Sequence, residues 1–241
     1  MITSPSAQDT SFGAIVVAAG AGTRFGAERP KALLELAGRP LVRHAAESML
    51  AAGAVRLIVV IPDGGADGFA RALHGLAVDA LVTGGAERTD SVRNGLAALA
   101  ASEDRPPIVL ITDAARPLVP LQVTRRVVAA VAAGAPAVVP AVPVTDTIRE
   151  LTGPQDDGHG SRMLDRSMLR AVQTPQGFDL ETLLAAYRRL GADVITDDAG
   201  VCERAGHPIT LVDGDSASFK ITHPPDLALA EIMINNERQV R

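Results

Sequence analysis

Short apolar runs recur along the chain, and each is followed by a segment whose apolar positions return every three or four residues. The runs at Ala14–Ala18, Arg56–Ile61, Ala80–Thr83, Ile108–Thr112, Ala137–Val142 and Thr210–Asp213 predict strands. The longer periodic segments predict helices at Leu41–Ala52, Gly68–His74, Asp90–Ala101, Leu121–Ala133, Leu180–Leu190 and Pro225–Asn235. The amphipathic stretch from Leu33 to Leu50 also reads as helical. Apolar strands that alternate with such helices predict a mainly parallel sheet covered on both faces. Ligands of such sheets gather at the carboxyl ends of the strands.

One region breaks the alternation. Between Pro143 and Gln173, two alternating runs flank a polar tip, Gly153-Pro154-Gln155-Asp156-Asp157-Gly158-His159-Gly160. That pattern predicts a β-hairpin. An isolated hairpin is marginal in water, so the expected partner is a second subunit; a long surface loop is the alternative. Just before it, Val127 to Val144 carries no charge over a length that nominally spans a membrane. Gly134, Pro136, Pro140 and Pro143 interrupt it, and it parses better as a helix end, a turn and a buried strand.

With 241 residues, of which 47% are hydrophobic, the chain fits one large α/β domain. Residues 1–11 read as a disordered lead-in and 12–241 as a single domain with an arm at about 143–173. The lead-in has neither the basic region nor the apolar core of a signal peptide, and the expected location is the cytoplasm, with no membrane. No Trp, one Tyr and five Phe leave little to stack on single-stranded nucleic acid, and a net charge of −5 argues against binding polyanions in general. No nucleic-acid partner is expected. The single cysteine, Cys202, excludes an internal disulfide and reads as a small buried hydrophobe. The histidines, at 44, 74, 159, 207 and 223, show neither metal-ligand spacing nor a neighbouring serine nucleophile.

The candidate chemistry sits in loops after strands. Ala18-Ala19-Gly20-Ala21-Gly22-Thr23-Arg24-Phe25-Gly26 follows the first strand, and Lys31 closes the same loop. Glycines let backbone N–H groups approach a phosphate chain. The same glycines also suit a plain structural turn, and their spacing loosely echoes a dinucleotide fingerprint. Dinucleotide sites keep the pyrophosphate on neutral donors and place an acid about 20 residues on. Arg24 and Lys31 instead favour a nucleoside triphosphate attacked at its α-phosphorus. Asp113 ends a buried strand in Thr112-Asp113-Ala114-Ala115-Arg116-Pro117 and suits Mg²⁺, which takes one or two carboxylates with substrate oxygens; the competing role is a helix N-cap. In Gly84-Gly85-Ala86-Glu87-Arg88-Thr89-Asp90-Ser91, either Thr89 or Asp90 is expected to cap the next helix, with Ser91 placed to meet a nucleobase edge. Lys220, between Phe219 and Ile221, is expected to point into a site. Thr196-Asp197-Asp198 reads as a cap of a short helix rather than a metal site.

Taken together, these motifs resemble the 2-C-methyl-D-erythritol 4-phosphate cytidylyltransferases of isoprenoid precursor biosynthesis. The likeness runs from about Ala14 to Glu231. It rests on the glycine loop with Pro30-Lys31, Asp90-Ser91-Val92, Asp113-Ala114-Ala115-Arg116-Pro117, Asp146-Thr147 with Asp165-Arg166, Thr174-Pro175-Gln176, Ile195-Thr196-Asp197 and Phe219-Lys220-Ile221-Thr222. The resemblance implies an α/β, Rossmann-like three-layer fold of nucleotidyltransferase type with a projecting β-arm that forms a homodimer. It implies transfer of CMP from CTP to a sugar-alcohol phosphate with Mg²⁺. Ala18, Ala19, Gly20, Gly85, Ser91 and Ala114 would hold the nucleotide, Arg24 and Lys31 the triphosphate, and Asp113 the metal. Arg116, Thr147, Thr174, Thr196 and Lys220 would hold the sugar phosphate, and Arg166 would reach the neighbouring subunit's site. Arg24, Lys31, Arg166 and Lys220 are the catalytic set. Thr112 stands where the family commonly has His, and Ala86 where some members have Asp, both expected beside the nucleotide. The alternatives are a cytidylyltransferase for ribitol 5-phosphate, a nicotinamide-dependent oxidoreductase and a silent nucleotide-binding protein.

Overall fold

The apolar run Phe12–Val17 forms β1, and its side chains divide between two cores: Ala14 and Val16 face one, Ile15 the other. The computed structural model describes residues 10–20, 30–153, 160–190 and 195–240, with side chains as far as 236. After β1, a 3₁₀ turn at Lys31–Leu33 leads into the small hairpin β2 (Glu35–Leu36) and β3 (Arg39–Pro40), then α1 (Leu41–Ala51). The alternation continues through β4 (Arg56–Ile61), α2 (Ala66–Ala72), β5 (Ala80–Thr83), α3 (Arg88–Ala100), β6 (Ile108–Asp113), α4 (Leu121–Ala132) and β7 (Ala137–Pro143). The arm holds β8 (Arg149–Leu151), β9 (Ser161–Met163) and a 3₁₀ turn at Arg166–Met168. The chain returns through β10 (Arg170–Val172) and β11 (Gln176–Asp179) to α5 (Leu180–Arg189), α6 (Asp198–Arg204), β12 (Ile209–Asp213) and α7 (Pro224–Val240).

The main sheet has eight strands. β5, β4, β1 and β6 lie parallel in that order, and β11 runs antiparallel between β6 and β7. β12 pairs in parallel with β7 along Ala137–Ala141, while β10 pairs antiparallel with its far end, Ala141–Pro143. The near-continuous apolar strands make sense because both faces are covered. On one face, Leu57, Val59 and Leu110 meet Val42, Ala46 and Met49 of α1, Phe69 of α2 and Val127 of α4. On the other, Ile58, Val60, Val109 and Ile111 meet Leu96 and Leu99 of α3, Leu183 and Tyr187 of α5 and Cys202 of α6. A third, smaller cluster of Leu34, Leu36, Leu41, Ile221, Ala230 and Ile234 seats α7 against the β2–β3 hairpin.

Three expectations change. Leu33 to Leu50 is not one helix. Ala37 and Gly38 take positive φ values of 52° and 77°, reverse the chain between β2 and β3, and delay the helix to Leu41. The segment 143–173 is a hairpin, but its base does find a partner in its own sheet, because β10 pairs with β7; only β8 and β9 form a separate two-stranded unit. β11 is a strand that periodicity missed. Its four residues include Gly177, where a Cβ would lie 2.4 Å from Val127 Cγ1 and 2.8 Å from Leu110 Cδ2. The bare backbone there lets α4 close onto the sheet. The uncharged stretch 127–144 divides as expected, with Gly134 at φ 103° between α4 and β7, and among the described residues no helix is long and apolar enough to cross a membrane. The lead-in reading, except Thr10 and Ser11, lies outside the described residues.

Gly177→Ala is expected to destabilise the fold by about 1–3 kcal/mol, the usual range for overpacking a filled core. Urea denaturation should also show that the same change costs less in a Val127→Ala background, since truncating Val127 makes the room the new methyl needs.

Candidate active site

β6 ends in an acid, and the site is assembled around it. Asp113 is buried at the carboxyl end of the strand, between the ends of β1 and β11. Its Oδ2 accepts from Lys220 Nζ at 2.8 Å. Arg88 Nη2 stands 3.7 Å from Oδ1, and Arg116 Nε stands 4.0 Å from Oδ2. Burial alone would raise the pKa of this carboxyl. Lys220, then Arg88 and Arg116, outweigh burial and hold it below the ordinary carboxylate range. Asp113 is therefore ionised, and it is not a helix cap because α4 begins only at Leu121, behind Pro120.

The segment after β6 also fixes the distant chain that carries Lys220. Ile221 N–H donates to the Ala115 carbonyl at 2.8 Å, and Arg116 Nη1 donates to the Ser218 carbonyl at 2.7 Å. Lys31, from the first loop, donates to the Ile221 carbonyl at 2.9 Å. Two lysines 189 positions apart in sequence thus come to one site, Lys220 resting on the Asp113 carboxylate and Lys31 on the Ile221 carbonyl.

A cavity of about 400 Å³ opens here, lined by Val17, Ala18, Ala19 and Gly20 from the end of β1, by Lys31 and Ala32, by Gly85 to Arg88 with Ser91, and by Asp113 to Ala115 with Lys220. The loop before α3 needs its glycines. A Cβ on Gly84 would lie 2.6 Å from Ala19 Cβ, and one on Gly85 2.3 Å from Asp90 Cβ. Ser91 Oγ accepts from Gly85 N–H at 3.1 Å, which shapes the loop and leaves the hydroxyl proton free to be donated. The cap expected from Thr89 or Asp90 falls instead to Glu87, with Asp90 on the third helical position accepting from the Glu87 N–H at 3.3 Å.

Nine expected site residues line the cavity: Ala18, Ala19, Gly20, Lys31, Gly85, Ser91, Asp113, Ala114 and Lys220. Arg24 lies outside the described residues. Arg116 and Thr174 stand behind Asp113. Thr174 is buried, its Oγ1 accepts from Asp113 N–H at 3.1 Å and lies 3.3 Å from Thr112 Oγ1, so it braces the strand end. Thr147 and Arg166 are exposed on the arm, and Arg166 donates to the Thr145 carbonyl beside a turn that Asp165 caps through Ser167. Thr196 is exposed just before α6. Its neighbour Asp197 caps α6 by accepting from Gly200 N–H at 3.0 Å, as expected of that cluster. Gln176 ties the cap to the sheet, donating to Asp197 at 2.9 Å and accepting from Ala199 N–H at 3.1 Å.

Sequence reasoning missed Arg88. It opens α3, where a cation faces the positive end of the helix dipole. An arginine there needs a countercharge from elsewhere in the fold, and that was the available signal. The countercharges are Asp113 and Asp198, the latter fully buried and 2.7 Å from Arg88 Nη2.

Residues 12–236 match the family model of 2-C-methyl-D-erythritol 4-phosphate cytidylyltransferase. The chain belongs to that family. A Nocardia farcinica enzyme of this name is 46% identical over 94% of the chain and 95% of its own length. One from Streptomyces avermitilis is 42% identical over 97% of the chain and 96% of its own length. The crystal structure of the enzyme from Thermus thermophilus superposes with a TM-score of 0.74 at 36% identity, covering 92% of this chain and 98% of that one. The fold is the expected mixed α/β layering around a mainly parallel sheet.

Of the two departures from the family's motifs, Ala86 does line the cavity. Thr112 is not among the lining residues. It is buried, with its hydroxyl 3.3 Å from Thr174 Oγ1, in the scaffold behind Asp113.

Cys202 takes no part in the site. It is fully buried, and burial, with Asp198 and Asp197 adding to it, pushes its thiol up to about 12. An unfolded thiol ionises near 8.5, so the folded state keeps its proton longer. The resulting stability is fully present below about pH 8.5 and is lost as pH climbs toward 12. Denaturant titrations between about pH 8 and 10.5 should show a shallower loss of stability with rising pH in Cys202→Ala than in the unmodified protein.

Proposed function

We propose that this cavity transfers CMP from CTP to 2-C-methyl-D-erythritol 4-phosphate, with release of pyrophosphate, through the charge cluster around Asp113. The observation that carries the reading is that Lys31, Lys220 and the ionised Asp113 line one glycine-walled cavity, with Lys220 paired to the carboxylate and Lys31 held on the Ile221 carbonyl. The base and ribose lie against Ala18, Ala19, Gly20, Gly85, Ser91 and Ala114, where backbone amides and one hydroxyl give directional contacts. The triphosphate meets Lys31 and Arg24.

The nucleophile is an oxygen of the sugar-alcohol phosphate. A phosphate monoester has its second pKa near 6, so this oxygen is ionised at neutral pH and needs no general base. It forms a bond to the α-phosphorus while the bond from that phosphorus to the β-bridging oxygen breaks, and pyrophosphate departs with the electron pair. The barrier is the approach of two anions and the charge that gathers around the phosphorus. Cations placed where that charge develops lower it. Lys31 leaves the Ile221 carbonyl for the triphosphate, and Lys220 leaves Asp113 for the attacking phosphate. Arg116, Thr147, Thr174 and Thr196 form the sugar-phosphate side.

Mg²⁺ fits the donor set. Asp113 offers one ionised carboxylate at the cavity wall, and Mg²⁺ sites commonly combine one or two carboxylates with substrate phosphate oxygens. Among the described residues no group of three His, Cys, Asp or Glu could hold a metal by itself, so a site here depends on the nucleotide. When bound, the ion would supply further positive charge to the phosphates.

The protein is read as a cytoplasmic homodimer joined through its arms. The support is the apolar surface that the arm exposes: Leu151, Met163, Met168 and Val172 are 62%, 68%, 81% and 46% exposed. Such a surface suits a protein partner. Arg166, on the same arm, is read as entering the partner's site, where a guanidinium would grip phosphate with two parallel bonds.

Pyrophosphate release with CTP against a panel of sugar and polyol phosphates tests the reading. Methylerythritol phosphate is expected to be much the best acceptor, ahead of ribitol 5-phosphate, and turnover should vanish in excess EDTA. Lys31→Ala is expected to lower kcat by about a hundred- to thousandfold with a far smaller change in CTP affinity, in line with loss of one donor to transition-state charge. Equilibrium binding and steady-state rates separate the two effects.

Subunit complementation checks the arm. Arg166→Ala and Lys31→Ala are each expected to be inactive alone. Mixed by gentle unfolding and reassembly, they should recover up to about a quarter of full activity, since half of the randomly formed dimers are mixed and each has one intact site. Proven mixed dimers without activity would return Arg166 to its own subunit's site.

A further inference from the structure

Behind the cavity lies a buried chain of charges that binding of substrates does not account for. Asp198 opens α6 and is fully buried. Its Oδ1 accepts from the Tyr187 hydroxyl of α5 at 2.6 Å, and its Oδ2 accepts from Arg88 Nη2 at 2.7 Å. Arg88 in turn lines the cavity and stands 3.7 Å from Asp113. Its Nη1 is buried without a hydrogen-bond partner. The guanidinium is thus held by Asp198 through Nη2, and the same nitrogen is the one nearest Asp113. Tyr187 is itself locked by burial among Leu183, Ala186 and Val201, with Arg93 5.8 Å from its ring.

Burying a carboxylate and a guanidinium this deeply is expensive, and an apolar pair of the same size is often as stable or more so. A layer of α5 and α6 that only had to cover the sheet would have no need of it. The arrangement makes sense for Asp113. That carboxylate has two close cations with different freedom. Lys220 sits on a flexible stem, 39% exposed, and can leave. Arg88 is anchored and cannot.

We propose that Asp198 and Tyr187 are positioning residues for the transfer: they fix Arg88 as a permanent countercharge to Asp113, so that Lys220 is released to a substrate phosphate. If Arg88 were loose, Asp113 would retain Lys220, and the attacking phosphate would lose its cation at the step where charge builds up. The loss then appears in kcat and not in CTP binding, whose contacts lie on the glycine loops, Ser91, Lys31 and Arg24. The proposal rests on the role given to Lys220 above.

The test compares steady-state kinetics, CTP binding and thermal stability for six variants of the whole chain. Tyr187→Phe removes one hydroxyl and keeps the ring, so folding should survive. It is expected to lower kcat about five- to twentyfold, the rate equivalent of weakening one hydrogen bond to a charged group, with CTP affinity within about twofold. Asp198→Asn should lower kcat further. Arg88→Lys, which keeps the charge, should retain more kcat than Arg88→Met. Val131→Ala, in the core on the opposite face of the sheet, serves as the control, with lowered melting temperature and unchanged kcat. Unchanged kcat in Tyr187→Phe and Asp198→Asn overturns the proposal, as does an equal kcat loss in Val131→Ala at equal melting temperature. Lys220→Ala separates the two readings. If it is inactive while Tyr187→Phe is normal, only the positioning role fails; if it stays active, the role of Lys220 fails and takes the positioning role with it.

Discussion

An ionised carboxylate held inside the protein by three cations is the interaction on which the arrangement of this site depends. Asp113 ends β6 and brings Lys220, Arg88 and Arg116 within 4.0 Å. The attraction alone does not build the site. Around it, Ile221 bonds to Ala115, Arg116 to Ser218 and Thr174 to the Asp113 N–H, so two separate stretches of chain, 218–221 and the one bearing Thr174, are fastened to one strand end. The small side chains of Ala114 and Ala115 keep the strand end narrow enough for a nucleotide to approach.

The same cluster explains how an acidic protein handles a polyanion. Its net charge is −5, so long-range attraction to CTP is weak. The cations are instead concentrated at one place and satisfied by protein oxygens until a ligand arrives. Lys31 and Lys220 rest on a backbone carbonyl and a carboxylate. In the proposed reaction, exchanging those oxygens for phosphate oxygens would swap one hydrogen bond for another. The chemistry then follows from position and charge, which suits a nucleophile that is already ionised.

A second constraint is the antiparallel strand β11. It places Gln176 against the start of α6, and α6 carries Asp198 toward Arg88. Thr174 and Gln176, two residues apart, therefore brace opposite sides of the site: one supports Asp113 and the other supports the helix that anchors its fixed cation. The third core cluster does the equivalent for the lysines, since Ile221 packs with Leu34, Leu36 and α7 while its carbonyl receives Lys31.

Local pattern determined much of this protein. Apolar runs with alternate covering helices specified β1, β4, β5, β6, β7 and β12 and the layered fold, because continuous apolar strands demand cover on both faces. The glycines of the two loops, the strand-end acid and the positions of Lys31 and Lys220 marked the cavity, because a glycine loop after a strand is a local feature. Tertiary structure decided what depends on partners far along the chain. β11 is too short and glycine-bearing to show a period, and it exists because β6 and β7 offer it hydrogen bonds. The turn at Ala37–Gly38 and the cap at Glu87 rest on backbone geometry that the side-chain pattern does not express. Arg88, Asp198 and Tyr187 carry no motif. They form a unit only when α3, α5 and α6 pack on the same face, because a buried charge acquires its meaning from the opposite charge that folding brings to it.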